Sequence, residues 1–437
     1  MGSSAMGRGA AAMRHRAIAV LIVTAVSAAA QQPARAFDDV LSAGDVSLDV
    51  DVLLEGRAVV GSTTKSWEDG GLGKVRYGAD TGGDRRVLLR PEAAVIFTPR
   101  FGFDVTGKLV LTANDQQRQT IDVTEAFLEY KPAPARAFGF KARGGAFFPP
   151  ISQENTGLAW TSPYTITSSA INSWVGEELK TIGVEATPYW RGDDLTVELT
   201  AAGYMANDPT GTLLAWRGWS FNDRETGFLD RLQLAQIRII RPGGNLDTQA
   251  PTEKPFHEVD GSGGVYAGLS LAHADYGKLS FLWYDNLADD HAFVKSQWAW
   301  RTDFASLAYK VELPGDVDVL AQAMRGRTTV ITIRAPIGPI VDTRFWSAYG
   351  LVSKEIGRHR LSFRGEVFKT IDRDTFPDNN NEHGFGLTAA YVFRPADNQR
   401  LTVEFLYVHS ERPERAFLAA PPRARETQTQ VSYRLFF

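Results

Sequence analysis

The sequence predicts an all-β fold: a single transmembrane antiparallel β-barrel of about 16–18 strands, with 18 slightly favoured. Three observations lead there. Apolar and polar residues alternate with a period of two in segment after segment. Several of these segments run to about 10–12 residues, against about 5–6 for strands of globular proteins. The connections alternate between short polar turns and long loops, which separates the two rims of a barrel.

The strands follow from the alternation. Leu48, Val50, Val52 and Leu54 oppose Asp49, Asp51 and Glu55. Phe103, Val105, Leu109 and Leu111 oppose Asp104, Thr106, Lys108 and Thr112. Leu361, Phe363, Gly365 and Val367 oppose Arg360, Ser362, Arg364 and Glu366. Further alternating runs occupy 384–393 and 400–409. The last, TQTQVSYRLFF (427–437), sets Val431, Tyr433, Leu435 and Phe437 against Gln428, Gln430, Ser432 and Arg434. A strand of about 11 residues, tilted near 40°, rises about 28 Å, enough for an apolar band of about 25 Å. A string of β-sandwiches would need a linker roughly every 100 residues, and no Pro/Ser/Gly-rich linker interrupts this chain. Trp190, Trp283, Trp298, Trp300, Tyr130, Tyr391, Phe393 and Phe437 fall near strand ends, where aromatic belts are expected.

Short links are read at 98–102, 131–136, 191–194, 273–278, 312–318, 355–360 and 394–400. Longer ones lie at 61–86, 148–179, 286–298, 327–341, 370–383 and 410–426. The strand at 194–205 and the strand at 263–273 run in opposite senses, so an even number of spans lies between them. None gives about 16 strands and two give about 18. The candidates for the extra pair are 212–221 and 231–240.

Composition narrows the class. Arg8, Arg14 and Arg16 precede the apolar run 17–30, and Ala34-Arg35-Ala36 offers a small-x-small site. This predicts a removed signal peptide at 1–36 and a mature barrel over 37–437. The mature part carries 43 basic and 51 acidic residues, a net charge of −8, which argues against a nucleic-acid partner. With no cysteine, thiolate catalysis and disulfide frameworks are excluded. Cofactors and metals are not expected: seven His form no ligand motif.

Three features resemble Gram-negative outer-membrane porins. The terminal VSYRLFF is similar to the last strand of outer-membrane proteins, which commonly ends on Phe. EAFLEYKPAP (125–134), FGFKARGGAFFPP (138–150) and QEN (153–155) resemble a strand–turn–strand of phosphate-selective and related substrate-specific porins, with no subfamily assigned. The barrel pattern is the third. The resemblance implies a bacterial outer-membrane location reached through the periplasm, and passive diffusion of small polar solutes or ions. It implies as partners outer-membrane lipid and lipopolysaccharide, the barrel-assembly machinery and, in a porin-like assembly, a homotrimer. It also makes Phe437 an assembly signal.

For a pore, the chemistry is electrostatic. Segment 148–179 is the expected inward constriction loop, being longer than a hairpin requires. It supplies Glu154, Thr165, Ser168 and Ser169. Alternation nominates Arg57, Arg90, Lys108, Arg143, Arg344, Arg364 and Glu366 as lining residues, and AWRGWSF (215–221) adds Arg217. No arginine ladder appears, and the net acidity favours cations or neutral solutes. Trp216 and Trp219 raise a sugar-stacking alternative, open only if their segment is irregular. Another alternative is a structural or enzymatic outer-membrane barrel without general conduction. His409 and Ser410 are adjacent, so a strand turns them to opposite faces and they make no dyad. The expectation is no enzyme and no catalytic residues.

Overall fold

The computed structural model describes residues 46–79, 83–134, 136–331 and 338–437. The expected signal segment 1–36 lies outside them. Sixteen strands close into one antiparallel barrel. They are Val46–Val60 (β1), Val87–Phe101 (β2), Val105–Asn114 (β3), Ile121–Tyr130 (β4), Phe138–Phe147 (β5), Thr181–Arg191 (β6), Leu195–Met205 (β7) and Gly264–His273 (β8). Gly277–Asp285 (β9), Arg301–Leu313 (β10), Val317–Val330 (β11), Val341–Ile356 (β12), His359–Asp372 (β13), Glu382–Phe393 (β14), Gln399–Glu411 (β15) and Arg423–Phe436 (β16) complete it. Every neighbour in sequence is a neighbour in space, and β16 pairs back onto β1.

The lower of the two expected strand counts holds. Segments 212–221 and 231–240 are not spans. Thr212–Trp216 (α2) is a short helix, and Leu213, Leu214, Ala215, Trp216, Trp219 and Phe221 are all buried. A barrel strand shows one face to lipid, whereas this stretch is buried on every side and fits only an interior. Trp219 lies 5.9 Å from the inward Phe345 of β12, and Phe221 lies 5.5 Å from Phe368 of β13. The long link between β7 and β8 therefore folds into the barrel. In 231–240, only Leu232–Gln233 pairs, with Thr252–Glu253, in a small sheet of its own.

The two faces of β13, β15 and β16 are as the alternation requires. On β16, Glu426, Gln428, Gln430, Ser432 and Arg434 are buried, while Val431 and Tyr433 are exposed outside. Trp190, Trp283, Tyr130, Tyr391 and Phe437 are exposed near strand ends, as a girdle needs. Trp298 and Trp300 are not part of it. Both are buried, and Trp300 meets Trp216 edge to face at 5.8 Å under the long-loop rim.

The seam is closed by backbone bonds to the last residue. Phe437 N donates to Val52 O and Val52 N to Phe437 O, each at 2.9 Å. Deleting Phe437 removes both bonds and the aromatic ring that follows β16. The fraction of folded, heat-modifiable barrel on a gel is expected to fall in refolding trials; an unchanged fraction would leave Phe437 no part in closure.

Candidate functional site

The lumen is organised around Arg364 on β13. Its side chain is inaccessible to water, so each guanidinium N–H needs a protein acceptor. Nε donates to Glu366 Oε1 at 2.8 Å. Nη1 reaches Glu154 Oε2 and Thr165 Oγ1, both at 3.2 Å, and Thr167 O at 2.9 Å. Nη2 reaches Ser168 O at 3.0 Å and Thr388 Oγ1 at 3.2 Å. Four of these six acceptors belong to segment 148–179.

Neighbouring wall carboxylates bind the same segment. Glu404 of β15 accepts from Ile166 N at 2.6 Å and Thr167 Oγ1 at 2.6 Å. Glu366 accepts from Ala170 N at 2.7 Å, at the first turn of Ala170–Glu178 (α1). Ser169 caps that helix through Asn172 N, and Glu154 accepts from Ser169 N at 2.7 Å. Two carboxylates at a helix N-terminus are favourable, because the exposed N–H groups there carry partial positive charge. The loop thus lies across the barrel, held by the wall facing its own stem.

Residues 61–79 and the β7–β8 link fill much of the remainder. Lys74 is ion-paired to Glu382 of β14, and Arg217 to Glu177 of α1. The Arg217 guanidinium stacks 3.9 Å above the Trp67 ring. Trp174 sits among Trp219, Phe304 and Phe345 in one continuous apolar cluster. The interior is therefore apolar beneath the long-loop rim, with polar residues forming the attachments.

A cavity of about 60 Å³ remains between the β1–β3 wall and segment 148–179. That is room for a few waters. Its lining includes Glu55, Glu92, Asn114, Arg76, Glu225 and Arg434. Arg57 adjoins it, donating to Glu55 Oε1 at 2.9 Å and lying 2.6 Å from Asp223 Oδ2. Arg76 donates to Asp223 Oδ1 at 2.8 Å, and Arg434 to Glu55 Oε2 at 2.8 Å. Burial alone would raise the Asp223 carboxyl, but Arg57 and Arg76 outweigh that and hold it below the usual carboxylate range. Glu225 lacks such a partner; burial pushes it up to about 8, only partly opposed by Lys180.

The remaining sequence candidates divide. Arg90 pairs with Asp115, Lys108 with Glu125 at 2.7 Å, and Arg143 with Glu185 at 2.9 Å, all from inward positions. Arg344 does not face the lumen. Thr343 and Phe345 point inward and are buried, which turns Arg344 to the exposed outer face. Both faces of β12 are apolar nearby, with Phe345 and Tyr349 inside and Trp346 and Val352 outside, so its alternation was ambiguous. Trp216 and Trp219 are buried and present no exposed face to a sugar. His409 points outward while Ser410 is buried inside, bonded to Arg415. Arg76, Asp223 and Glu225 were not found from sequence; they lie in irregular segments where no period marks a facing side. Two carboxylate-rich groups, Asp208–Glu258–Asp260 and Asp289–Asp290–His291, gather on the long-loop rim. Backbone N–H groups of Val259 and Gly261 already occupy Asp208 and Glu258.

No protein-family model matches the chain, and no curated protein does. Solved structures do. The outer membrane channel DcaP of Acinetobacter baumannii aligns at a TM-score of 0.52 with 11% identity, covering 91% of this chain and 99% of that one. OmpF of Salmonella typhi, solved with daunomycin, gives 0.51 and 11% over 90% and 98%. An anion-selective porin from Comamonas acidovorans gives 0.50 and 10% over 90% and 100%. At such identities the likeness is one of fold: the chain has the sixteen-stranded barrel fold seen in outer-membrane porins.

Proposed function

We propose that the protein is a bacterial outer-membrane porin, passing small polar solutes or ions by passive diffusion along the charged gap beside β1–β3. One observation carries this reading. The gap is bordered by carboxylates of Glu55, Glu92 and Asp223 and by guanidiniums of Arg57, Arg76 and Arg434, while the opposite part of the lumen is apolar. Facing charges of both signs give a transverse field that orients dipolar solutes and admits ions of either sign. Segment 148–179 is the constriction, and its attachments through Arg364, Glu366 and Glu404 set the gap's width. The porin fold supports an outer-membrane location, with the short turns at the periplasmic rim.

A second reading has its own observation. The interior apolar cluster is continuous from segment 61–86 to β15, as in a barrel closed by its own loops. A structural barrel without conduction would then be the function. Planar-bilayer recording separates the two. The porin reading expects discrete current steps of low conductance from purified protein, and silent membranes with inserted, folded barrel would favour the structural reading. Deleting 160–172 should raise single-channel conductance several-fold; no rise would mean that this segment does not limit the passage.

The charges give two more outcomes. Asp223→Asn leaves Arg57 and Arg76 with one acceptor fewer, so the reversal potential in a salt gradient should move toward anion preference. An unmoved potential would place the current elsewhere. Glu225 holds its proton at neutral pH and loses it as pH rises through about 8. Raising pH from about 6 to about 9 should therefore shift selectivity toward cations, and Glu225→Gln should abolish that shift. The same sign applies to stability: a raised carboxyl favours the fold below the usual carboxylate range, and that contribution is lost as pH rises toward 8.

A further inference from the structure

The long-loop rim holds a second and larger space. A cavity of about 380 Å³ lies where residues 61–79, the β7–β8 link and the β15–β16 loop meet. It shares no lining residue with the gap beside β1–β3. Cavities that hold small organic ligands run from about 300 to 1,000 Å³, with mostly apolar walls and a few placed polar groups. This one has that make-up. Leu72, Phe417, Leu418, Ala419 and Ala420 form the apolar wall, and Lys65, Arg241 and Arg415 carry the charge. Among the described residues no carboxylate lines it.

The walls are pinned by arginines. Arg415 is buried; its Nε and Nη2 donate to Leu72 O at 3.2 and 3.1 Å, and its Nη1 to Pro422 O at 3.0 Å. One guanidinium thus fixes the β15–β16 loop against residues 61–79. Arg241 ties in the third side, donating to Gln236 O at 2.6 Å and to Phe417 O at 3.4 Å. The Arg238 guanidinium lies 3.2 Å over the Phe417 ring. The short 3-10 helix of the loop, Pro413–Leu418, ends on Ala419 at φ 56° and ψ 31°. That left-handed conformation is unfavourable for a residue with a Cβ, and such strain gathers at ligand sites, held there by its surroundings. The charges are not balanced. Arg415 is met by Glu426 at 3.8 Å. Arg241 is bonded to carbonyl oxygens alone, and Lys65 is exposed with no ion-pair partner among the described residues. Two uncompensated cations therefore stand beside an apolar cavity.

We propose that this rim cavity is a binding site for an amphipathic organic anion. A compact apolar body sits against Leu72, Phe417 and Leu418, and its anionic head is held by Lys65 and Arg241. The site goes beyond the channel reading and does not depend on conduction. The planar fork of Arg241 meets a two-oxygen head in a defined orientation, and Lys65 adds a movable point charge. Inorganic anions lack the body that the apolar wall would take from water, and sugars lack the charge. An uncharged apolar molecule would leave both cations unused.

The test uses the full protein in amphipol, with empty amphipol as the blank and isothermal titration calorimetry as the readout. The probe is 2-naphthoate. Its amide, 2-naphthamide, keeps the body and removes the charge, and acetate keeps the head and removes the body. The expected result is saturable binding of 2-naphthoate, about tenfold weaker binding of the amide, and none of acetate. Lys65→Gln/Arg241→Gln should weaken 2-naphthoate about tenfold and leave the amide unchanged. Lys65→Gln alone, which removes no bond within the chain, should move affinity in the same direction. Ala420→Trp fills the cavity while keeping both cations, and should abolish binding. Heat-modifiable mobility on a gel checks that each variant is folded. Absence of saturable 2-naphthoate binding to wild type overturns the proposal. Equal affinity for the acid and its amide, or undiminished binding by Ala420→Trp, does so too.

Discussion

A guanidinium with no access to water sets the interior of this protein. Arg364 cannot be solvated, so the chain must bring acceptors to it, and most of them come from a loop that starts on the far side of the barrel. Charge-assisted bonds of this kind are the strong ones, and a buried ion left without them is costly. The position of segment 148–179 follows from that requirement, and so does the placing of α1, whose first turn is gripped by Glu366 and Glu154. With the loop fixed, the remaining gap is pressed against β1–β3, where a second set of ion pairs lines it.

Two kinds of interior coexist within one wall. Towards the long-loop rim the inward faces carry Phe304, Phe345, Phe368, Leu406 and Val408, and these meet tryptophans from the filling segments. Elsewhere they carry charges that pair with one another. A water-filled pore would make apolar inward residues unfavourable, and a fully apolar core would make the charges unfavourable. Their separation lets each environment satisfy its own residues. The apolar part packs the filling segments against the wall, and the polar part borders the small cavity beside β1–β3.

What the sequence disclosed tracks where periodicity exists. Lipid outside and polar groups inside impose a period of two, so β13, β15 and β16 were legible residue by residue, as was the alternation of short turns with long loops. The same rule failed on β12, where the aromatic filling makes the inward face as apolar as the outward one and Arg344 was placed on the wrong side. It also failed for 212–221, because a segment surrounded by protein is buried in all directions and carries no facial signal. The anchors Arg364 and Glu366 were visible because they stand on a strand. Their counterparts Arg76 and Asp223 were not, because they stand on irregular chain and find each other only through the fold.

The attachment of segment 148–179 also bears on the order in which the barrel is made. Its stem lies between β5 and β6, yet its acceptors and donors pair with residues about 200 positions later, the Arg364–Thr167 contact being 197 residues apart and the Glu404–Ile166 contact 238. The attachments to Arg364 and Glu404 can therefore form only once β13 and β15 are in place. These attachments and the closure of the seam by β16 then belong to the same late stage, so the anchoring of segment 148–179 and the completion of the barrel are one event rather than two.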